Sequence, residues 1–305
     1  MLVTGKKILA KAHKEGYAVA AFNTNNMEMT QAIIEAAVLS KAPVIIQTSE
    51  GAIEYAGLNW LAAMIKEAAQ APVPVAMHLD HGKDYDLIKE CIGIGYTSVM
   101  FDGSSLAYAE NVRQTKKVVA YAHKRGISVE AELGAIAGIE DFVSVEAKNA
   151  HLTDPDQAAE FVQKTQCDSL AIAIGTSHGI NKFTKEPELD LKRLKEIKAK
   201  TKMPLVLHGA SEVDQRMVKI ARTYGAKLKN AKGVDDALMK KVVRLGINKV
   251  NTDTDLRLAF DAGVREVIQT KPEIFDPRKI LGPAKDYMRE VAMERIKVLG
   301  SKNKA

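Results

Sequence analysis

Short apolar runs of strand length alternate with longer segments of helical periodicity along this whole 305-residue chain. The strand candidates cover residues 17–23, 43–48, 73–79, 97–102, 128–133, 169–174, 204–208 and 247–251. Most of them, such as Leu170-Ala171-Ile172-Ala173-Ile174, are near-continuous apolar stretches, as strands buried on both faces of a parallel sheet require. Helical segments such as 27–40, 107–124 and 189–200 lie between them, and strand starts recur about every 33 residues. Eight βα units predict a closed (β/α)8 TIM barrel, read as one domain over residues 1–305. An open, doubly wound sheet would need a glycine fingerprint after its first strand, and Ala21-Phe22-Asn23-Thr24-Asn25-Asn26 has no glycine. Residues after Thr254 predict two or three extra C-terminal helices, an extension over 256–300, and a frayed tail from Ser301 to Ala305.

Other classes are excluded on simple grounds. No apolar stretch is long enough for a membrane span or signal peptide, so the chain reads as soluble and unprocessed. Cys91 and Cys167 lie far apart with no C-x-x-C spacing, which favours a reduced, cytoplasmic setting and rules out a thiolate-held metal. The net charge of +6 comes largely from runs such as 192–202, the wet side of an amphipathic helix. Aromatics are only 5% and do not interleave with basic residues, so nothing supports a nucleic-acid platform. Walker, H-E-x-x-H and G-x-S-x-G motifs are absent.

Seven histidines separate by setting. His13 and His123 sit in last helical turns, where a partly positive imidazole meets the helix dipole. His151 lies in a loop. His81, His178 and His208 each fall at or just after the C-terminal end of a strand, in Asp80-His81-Gly82, Ser177-His178-Gly179 and Leu207-His208-Gly209. That end of a barrel is the mouth where side chains from different strands converge. Three imidazoles there, with a coordination position left open, form the arrangement of a catalytic zinc. His78 shares the parity of Asp80 and reads as a supporting or core group.

Carboxylates gather at the same end: Asp80, Asp102, Glu132, Glu140 and Asp253. Several buried acids at one mouth imply a cation, water or proton transfer. Asp102 has a second reading as the cap of the segment starting at Gly103. Glu130 and Glu132 share a face, and parity does not say whether it is the interior. The connections after strands five and six, 134–152 and 175–187, carry glycines around an acid and a histidine, as mobile lids do.

With these residues in hand the chain closely resembles the class II, zinc-dependent fructose-bisphosphate aldolase family. The likeness rests on Tyr17-Ala18-Val19-Ala20-Ala21-Phe22-Asn23, Leu79-Asp80-His81-Gly82, Val129-Glu130-Ala131-Glu132-Leu133-Gly134, Gly175-Thr176-Ser177-His178-Gly179, Leu207-His208-Gly209-Ala210-Ser211, Asn251-Thr252-Asp253-Thr254-Asp255 and Asp276-Pro277-Arg278. It implies reversible cleavage of fructose 1,6-bisphosphate to dihydroxyacetone phosphate and glyceraldehyde 3-phosphate, in glycolysis and gluconeogenesis, by a homodimer or homotetramer. It also implies a Zn2+ cofactor and a Na+ or K+ activator.

Carried over by position, His81, His178 and His208 look like the zinc ligands. Asp80 resembles the acid that protonates the aldehyde oxygen, and Glu140 the loop carboxylate that removes the proton beside the carbonyl. Asp102 and Glu132 resemble carboxylates of a second or resting metal position. Gly179, Gly209 and Ser211 match a phosphate cradle, helped by Asn251, Asp253 and Thr254. Asn23 and Ser49 match substrate neighbours, and Lys182 and Arg278 phosphate partners, Arg278 commonly from a neighbouring subunit. Three alternatives stand beside this reading: a tagatose-bisphosphate aldolase of the same family, an imine-forming aldolase with Lys249 as nucleophile, and a non-catalytic phosphosugar-binding or adhesive barrel.

Overall fold

The computed structural model describes residues 1–140, 143–145, 151–178, 188–228 and 232–305. Its strands are β1 (Val19–Asn23), β2 (Val44–Ser49), β3 (Val75–Gly82), β4 (Ser98–Phe101), β5 (Ser128–Leu133), β6 (Ala137–Glu140), β7 (Val143–Val145), β8 (Ser169–Ile172), β9 (Ser177–His178), β10 (Leu205–Leu207) and β11 (Ile247–Thr252). Its helices are α1 (Gly5–Glu15), α2 (Met27–Leu39), α3 (Glu50–Ala56), α4 (Leu58–Ala68), α5 (Tyr85–Ile94), α6 (Tyr108–His123), α7 (Pro155–Thr165), α8 (Leu191–Thr201), α9 (Gln215–Thr223), α10 (Asp236–Arg244), α11 (Thr254–Thr270) and α12 (Pro277–Val298). Eight parallel strands close into a barrel in the order β1-β11-β10-β8-β5-β4-β3-β2, the eight expected from the apolar runs.

Alternation along each strand sorts residues onto two faces. Outward-facing Ala20, Phe22, Ile46, Met77, Val99, Ala131, Ile172, Leu205 and Val250 pack against the surrounding helices in the main core. The inward face starts apolar and small at the bottom, where Val19, Ala21, Ile45 and Ala76 meet Ile8, Leu9 and Ala12 of α1. Helix α1 therefore plugs the floor, and so closely that a Cβ on Gly5 would lie 2.7 Å from Ser98 Oγ. Met100, Ala171 and Val206 form an apolar layer above it. Polar side chains occupy the rest of the interior up to the mouth.

The long connections after β5 and β8 are not bare loops. β6 pairs antiparallel with β7 and parallel with β9, which sets Gly138 beside His178. At the far end, α12 packs on α11 closely enough that a Cβ on Gly263 would fall 2.5 Å from Ala284 Cα. The C-terminal tail is docked rather than frayed. Ser301 is fully buried, the Asn303 and Ala305 amides donate to the carbonyls of Ser40 and Lys41, and Lys304 pairs with Glu15. These backbone bonds to the α2 C-terminus supply what a polar five-residue composition does not reveal. No helix among the described residues is long and apolar enough to cross a membrane.

Candidate active site

Strict alternation would send Asp80 and His81 to opposite faces of β3. The β3–β4 register instead shifts between Leu79 and Gly82, and His81 takes a left-handed φ of +49°. Such a bulge re-aims side chains, and here it turns both neighbours toward the mouth. Gly82 follows because the strands have no room for more: a Cβ there would stand 2.7 Å from the Met100 carbonyl oxygen.

His81 Nε2 and His208 Nδ1 face one another at 2.8 Å. The other nitrogen of each ring is engaged: His81 Nδ1 lies 3.0 Å from Asp102 Oδ2, and His208 Nε2 lies 2.8 Å from Glu130 Oε1. With both outer nitrogens turned to carboxylates, the facing nitrogens share one position between them, which a ring proton or a bound cation can fill. Asp80 completes one group of potential ligands with these histidines, and Asp102 and Glu132 complete a second with His81; within each, the ligand atoms lie within 4.8 Å of one another. Glu132 Oε2 is buried without a hydrogen-bond partner among the described residues, its nearest cationic group being His81 Nδ1 at 3.7 Å. Nitrogen and carboxylate donors of this kind fit a divalent transition metal.

The electrostatics agree. Burial pulls the His81 imidazolium down, yet Asp80, the Asp102 hydrogen bond and Glu132 outweigh it and hold its pKa well above the ordinary value. Burial, with the charge of Asp102, pushes the Glu132 carboxyl well up. Asp102, despite burial, is held below the carboxylate range by His81 and Ser104. His208 is lowered by burial and by His81. A site of three buried acids draws positive charge onto whatever can carry it, which is a proton on His81 when no metal is bound.

Asp80 is held by three amides: Asn251 Nδ2 donates to Oδ1, and Asn23 Nδ2 and Gln47 Nε2 donate to Oδ2, each at 2.9 Å. Gln47 Nε2 also donates to Asn23 Oδ1 at 2.8 Å. The Asn251 and Gln47 carbonyl oxygens are buried without partners among the described residues, so they remain available to a hydroxyl. Asp102 is engaged on both oxygens, since Oδ1 accepts from the Ser104 amide and hydroxyl while Oδ2 meets His81. What Asp102 caps is a turn, not a helix.

Beneath this layer runs a buried chain that the sequence only hinted at. Glu130 Oε2 accepts from Lys249 Nζ at 2.8 Å, and His78 Nε2 lies 3.5 Å from the same ammonium while its Nδ1 meets Ser98 Oγ at 2.8 Å. The inward face of β5 therefore carries both glutamates. Glu130, although buried, is kept below the carboxylate range by Lys249 and His208, and His78 is lowered to about 3 by burial and Lys249. Glu130, Gln47 and the Glu130–Lys249 pairing are the site features missed. The available signal was parity: Gln47 with Ser49, Glu130 with Glu132, Lys249 with Asn251.

The remaining expected residues divide. Gly209 has a φ of +61° and leads to buried Ser211, whose carbonyl accepts from the Val234 amide. Ser49 is buried and its Oγ caps α3 by accepting from Ala52. Asp253 is buried and paired with Arg257, and Thr254 opens α11. Glu140 ends β6 and His178 ends β9, so the backbone brings them to adjacent strands of the small sheet that follows β5 and β8. Gly179 and Lys182 lie outside the described residues. Arg278 stands exposed at the start of α12, its guanidinium on Asp276, the cap of that helix. His13, expected to be partly positive, is instead lowered by burial and by Lys198, whose Nζ lies 2.8 Å from its ring.

A family model described as "Fructose-bisphosphate aldolase class-II" matches residues 3–304. The chain belongs to the class II fructose-bisphosphate aldolase family. It is 50% identical over 305 residues to a fructose-bisphosphate aldolase of Thermus caldophilus, covering 100% of both chains. It is 44% identical to that of Treponema pallidum, covering 100% of this chain and 98% of the relative. The solved structure of the YdjI aldolase from Escherichia coli K12 superposes with a TM-score of 0.83 at 37% identity, over 100% of each chain. Membership makes the chain a metal-dependent lyase, the chemistry that the facing histidines and buried acids fit.

Proposed function

We propose that the chain cleaves fructose 1,6-bisphosphate reversibly to dihydroxyacetone phosphate and glyceraldehyde 3-phosphate, in the cytoplasm, with Zn2+ as cofactor. The observation that carries this reading is the pair His81 Nε2 and His208 Nδ1, 2.8 Å apart among buried acids at a barrel mouth. His81, His208 and His178 would hold the metal, with Asp102 and Glu132 offering a second position. When bound, the ion supplies Lewis acidity toward negative charge developing on the substrate oxygens. A Na+ or K+ activator is carried over from the family in the same way.

The protein's own groups divide the remaining tasks. Glu140, on the small sheet that follows β5 and β8, takes the proton beside the carbonyl. Asp80 delivers a proton to the aldehyde oxygen, and its three amide donors fix the direction in which it does so. Asn23, Asn251 and Ser49 meet substrate hydroxyls, which the unpartnered Asn251 Oδ1 supports. Gly179, Gly209, Ser211, Asp253 and Thr254 cradle one phosphate, and Lys182 and a neighbouring subunit's copy of Arg278 bind phosphate charge. Self-association is supported by Tyr55, Trp60 and Phe275, which are 80, 74 and 91% exposed. Lys249 is better explained as the counter-charge of Glu130 than as an imine nucleophile.

The test is a coupled assay on fructose and tagatose bisphosphates with and without chelator. Activity on the fructose compound, lost to chelator and unaffected by borohydride, is expected. Chelator-resistant activity trapped by borohydride refutes the metal reading. Asp80→Ala should lose most turnover and keep bound zinc, whereas His208→Ala should lose both.

A further inference from the structure

We infer that Asp255, backed by Arg295 of the C-terminal helix, is a positioning residue that holds the loop 209–213 in the shape needed to receive phosphate. The inference rests on the proposed role of that loop. The loop leaves β10 directly after His208 and ends at Val213, whose φ is +60°. A β-branched residue in the left-handed region is strained and persists only where its surroundings over-determine it.

Asp255 supplies that determination. Its Oδ1 accepts from the Val213 amide at 2.6 Å and its Oδ2 from the Glu212 amide at 3.0 Å, and the residue is only 1% exposed. The loop is also closed from below. The Val234 amide donates to the Ser211 carbonyl at 3.2 Å, and a Cβ on Gly233 would fall 2.1 Å from that oxygen. Buried Arg295 bridges the side chains of Glu212 at 2.5 Å and Asp236 at 2.6 Å, and Asp255 is the strongest charge raising its pKa. Buried Asp255 beside half-buried Glu212 and Asp236 gathers three carboxylates around one point, and the Arg295 cation offsets their mutual repulsion. A residue near the chain end thus fixes the backbone beside the substrate, which gives the C-terminal helices a part in binding.

Asp255→Asn keeps the shape but places an amide N–H2 against one of the two backbone donors. The wild-type coupled assay comes first: no cleavage of any ketose bisphosphate overturns the parent reading and the loop's phosphate role together, whereas with activity in hand the variants test the brace alone. Asp255→Asn should raise KM for fructose 1,6-bisphosphate, and the inhibition constant of inorganic phosphate, by about tenfold or more, with kcat within about threefold and bound zinc unchanged. Arg295→Lys, which preserves the charge but has a shorter reach and no planar guanidinium, should shift both constants the same way by less. In a Val213→Gly background, where the positive φ carries no strain, the Asp255→Asn penalty should shrink. Should Asp255→Asn not fold, Arg295→Lys and the Val213→Gly pair carry the test. Unchanged KM and phosphate inhibition in a folded variant, loss of zinc in parallel with KM, or a penalty independent of residue 213 overturns the inference.

Discussion

Replacing Lys249 by Met removes the ammonium from the barrel interior while keeping most of the side chain's volume. Glu130 then keeps His208 Nε2 on Oε1 but loses its cation on Oε2, and both residues are buried to within 2% exposure. Removing one partner of a buried ion pair costs about 3–5 kcal/mol, because the surviving charge is left uncompensated. With an unfolding entropy of roughly 2.1 cal/mol/K per residue over this chain length, that corresponds to a Tm loss of about 5–8 °C. Calorimetry in excess chelator is the assay, since metal binding to the folded state would otherwise add its own stabilisation. The double variant Lys249→Met/Glu130→Gln discharges the site and should recover more than half of the loss. Zinc separates the two partners. Lys249→Met leaves the Glu130–His208 contact intact and should still bind metal, whereas Glu130→Gln weakens the group that orients His208 and should lower zinc affinity by about 10- to 100-fold. A Lys249→Met protein as stable as the parent, or a double variant that loses the full sum of the singles, would refute the buried-pair argument.

Other expected outcomes follow from single contacts. Glu212 has its carboxyl raised to about 7 by burial and by Asp236, Asp255 and Asp214, against the opposing pull of Arg295. A folded-state pKa above the unfolded value near 4.5 means that the native state holds the proton longer, so stability falls as pH rises from about 4.5 to 7. Glu212→Gln should therefore match the parent at pH 4.5 and gain on it above pH 7, by about 1–2 kcal/mol after allowing for a side chain that is 32% exposed; identical pH profiles in thermal melts would contradict this. Gly82→Ala forces a methyl against the Met100 carbonyl and should cost about 1–3 kcal/mol with loss of bound zinc, read by melting and metal content. Deleting residues 301–305 removes the two backbone hydrogen bonds to Ser40 and Lys41 and the buried Ser301, and a loss of about 1–3 kcal/mol in the same melt is expected.

Most of the site was legible because a barrel strand obeys a period of two. Asn23, Ser49, Asp80, Asp102, Glu132, His208, Asn251 and Asp253 all lie in phase with the inward faces of their strands, and chemical type picked them out from the apolar residues alternating with them. Phase itself was not legible. Glu130 and Glu132 share a face whichever way β5 is turned, and only the contacts with Lys249 and His208 identify that face as the interior. Complementary charge could have narrowed the choice, since a lysine in phase with Asn251 on one apolar strand needs an acid in phase on another.

His81 is the instructive exception, because the period-two rule predicts that it points away from Asp80 and into the helical layer. There an imidazole would displace apolar packing, so the chain breaks the rule locally: one register slip, one positive φ, and a glycine next in sequence that lets the strands close again. The strain is concentrated where the histidine must reach His208, and three acids around it repay the burial of its charge. The same logic applies at Val213, where a second left-handed residue follows a second site histidine by five positions and is held by Asp255. One departure thus lies at His81 itself and the other five residues after His208, the two imidazoles that face each other. Lys41, Gln166 and Lys202 are left-handed too, but they stand in the turns that lead from helices into β2, β8 and β10, so what marks the functional end is not strain itself but its place in the segments that carry the two site histidines.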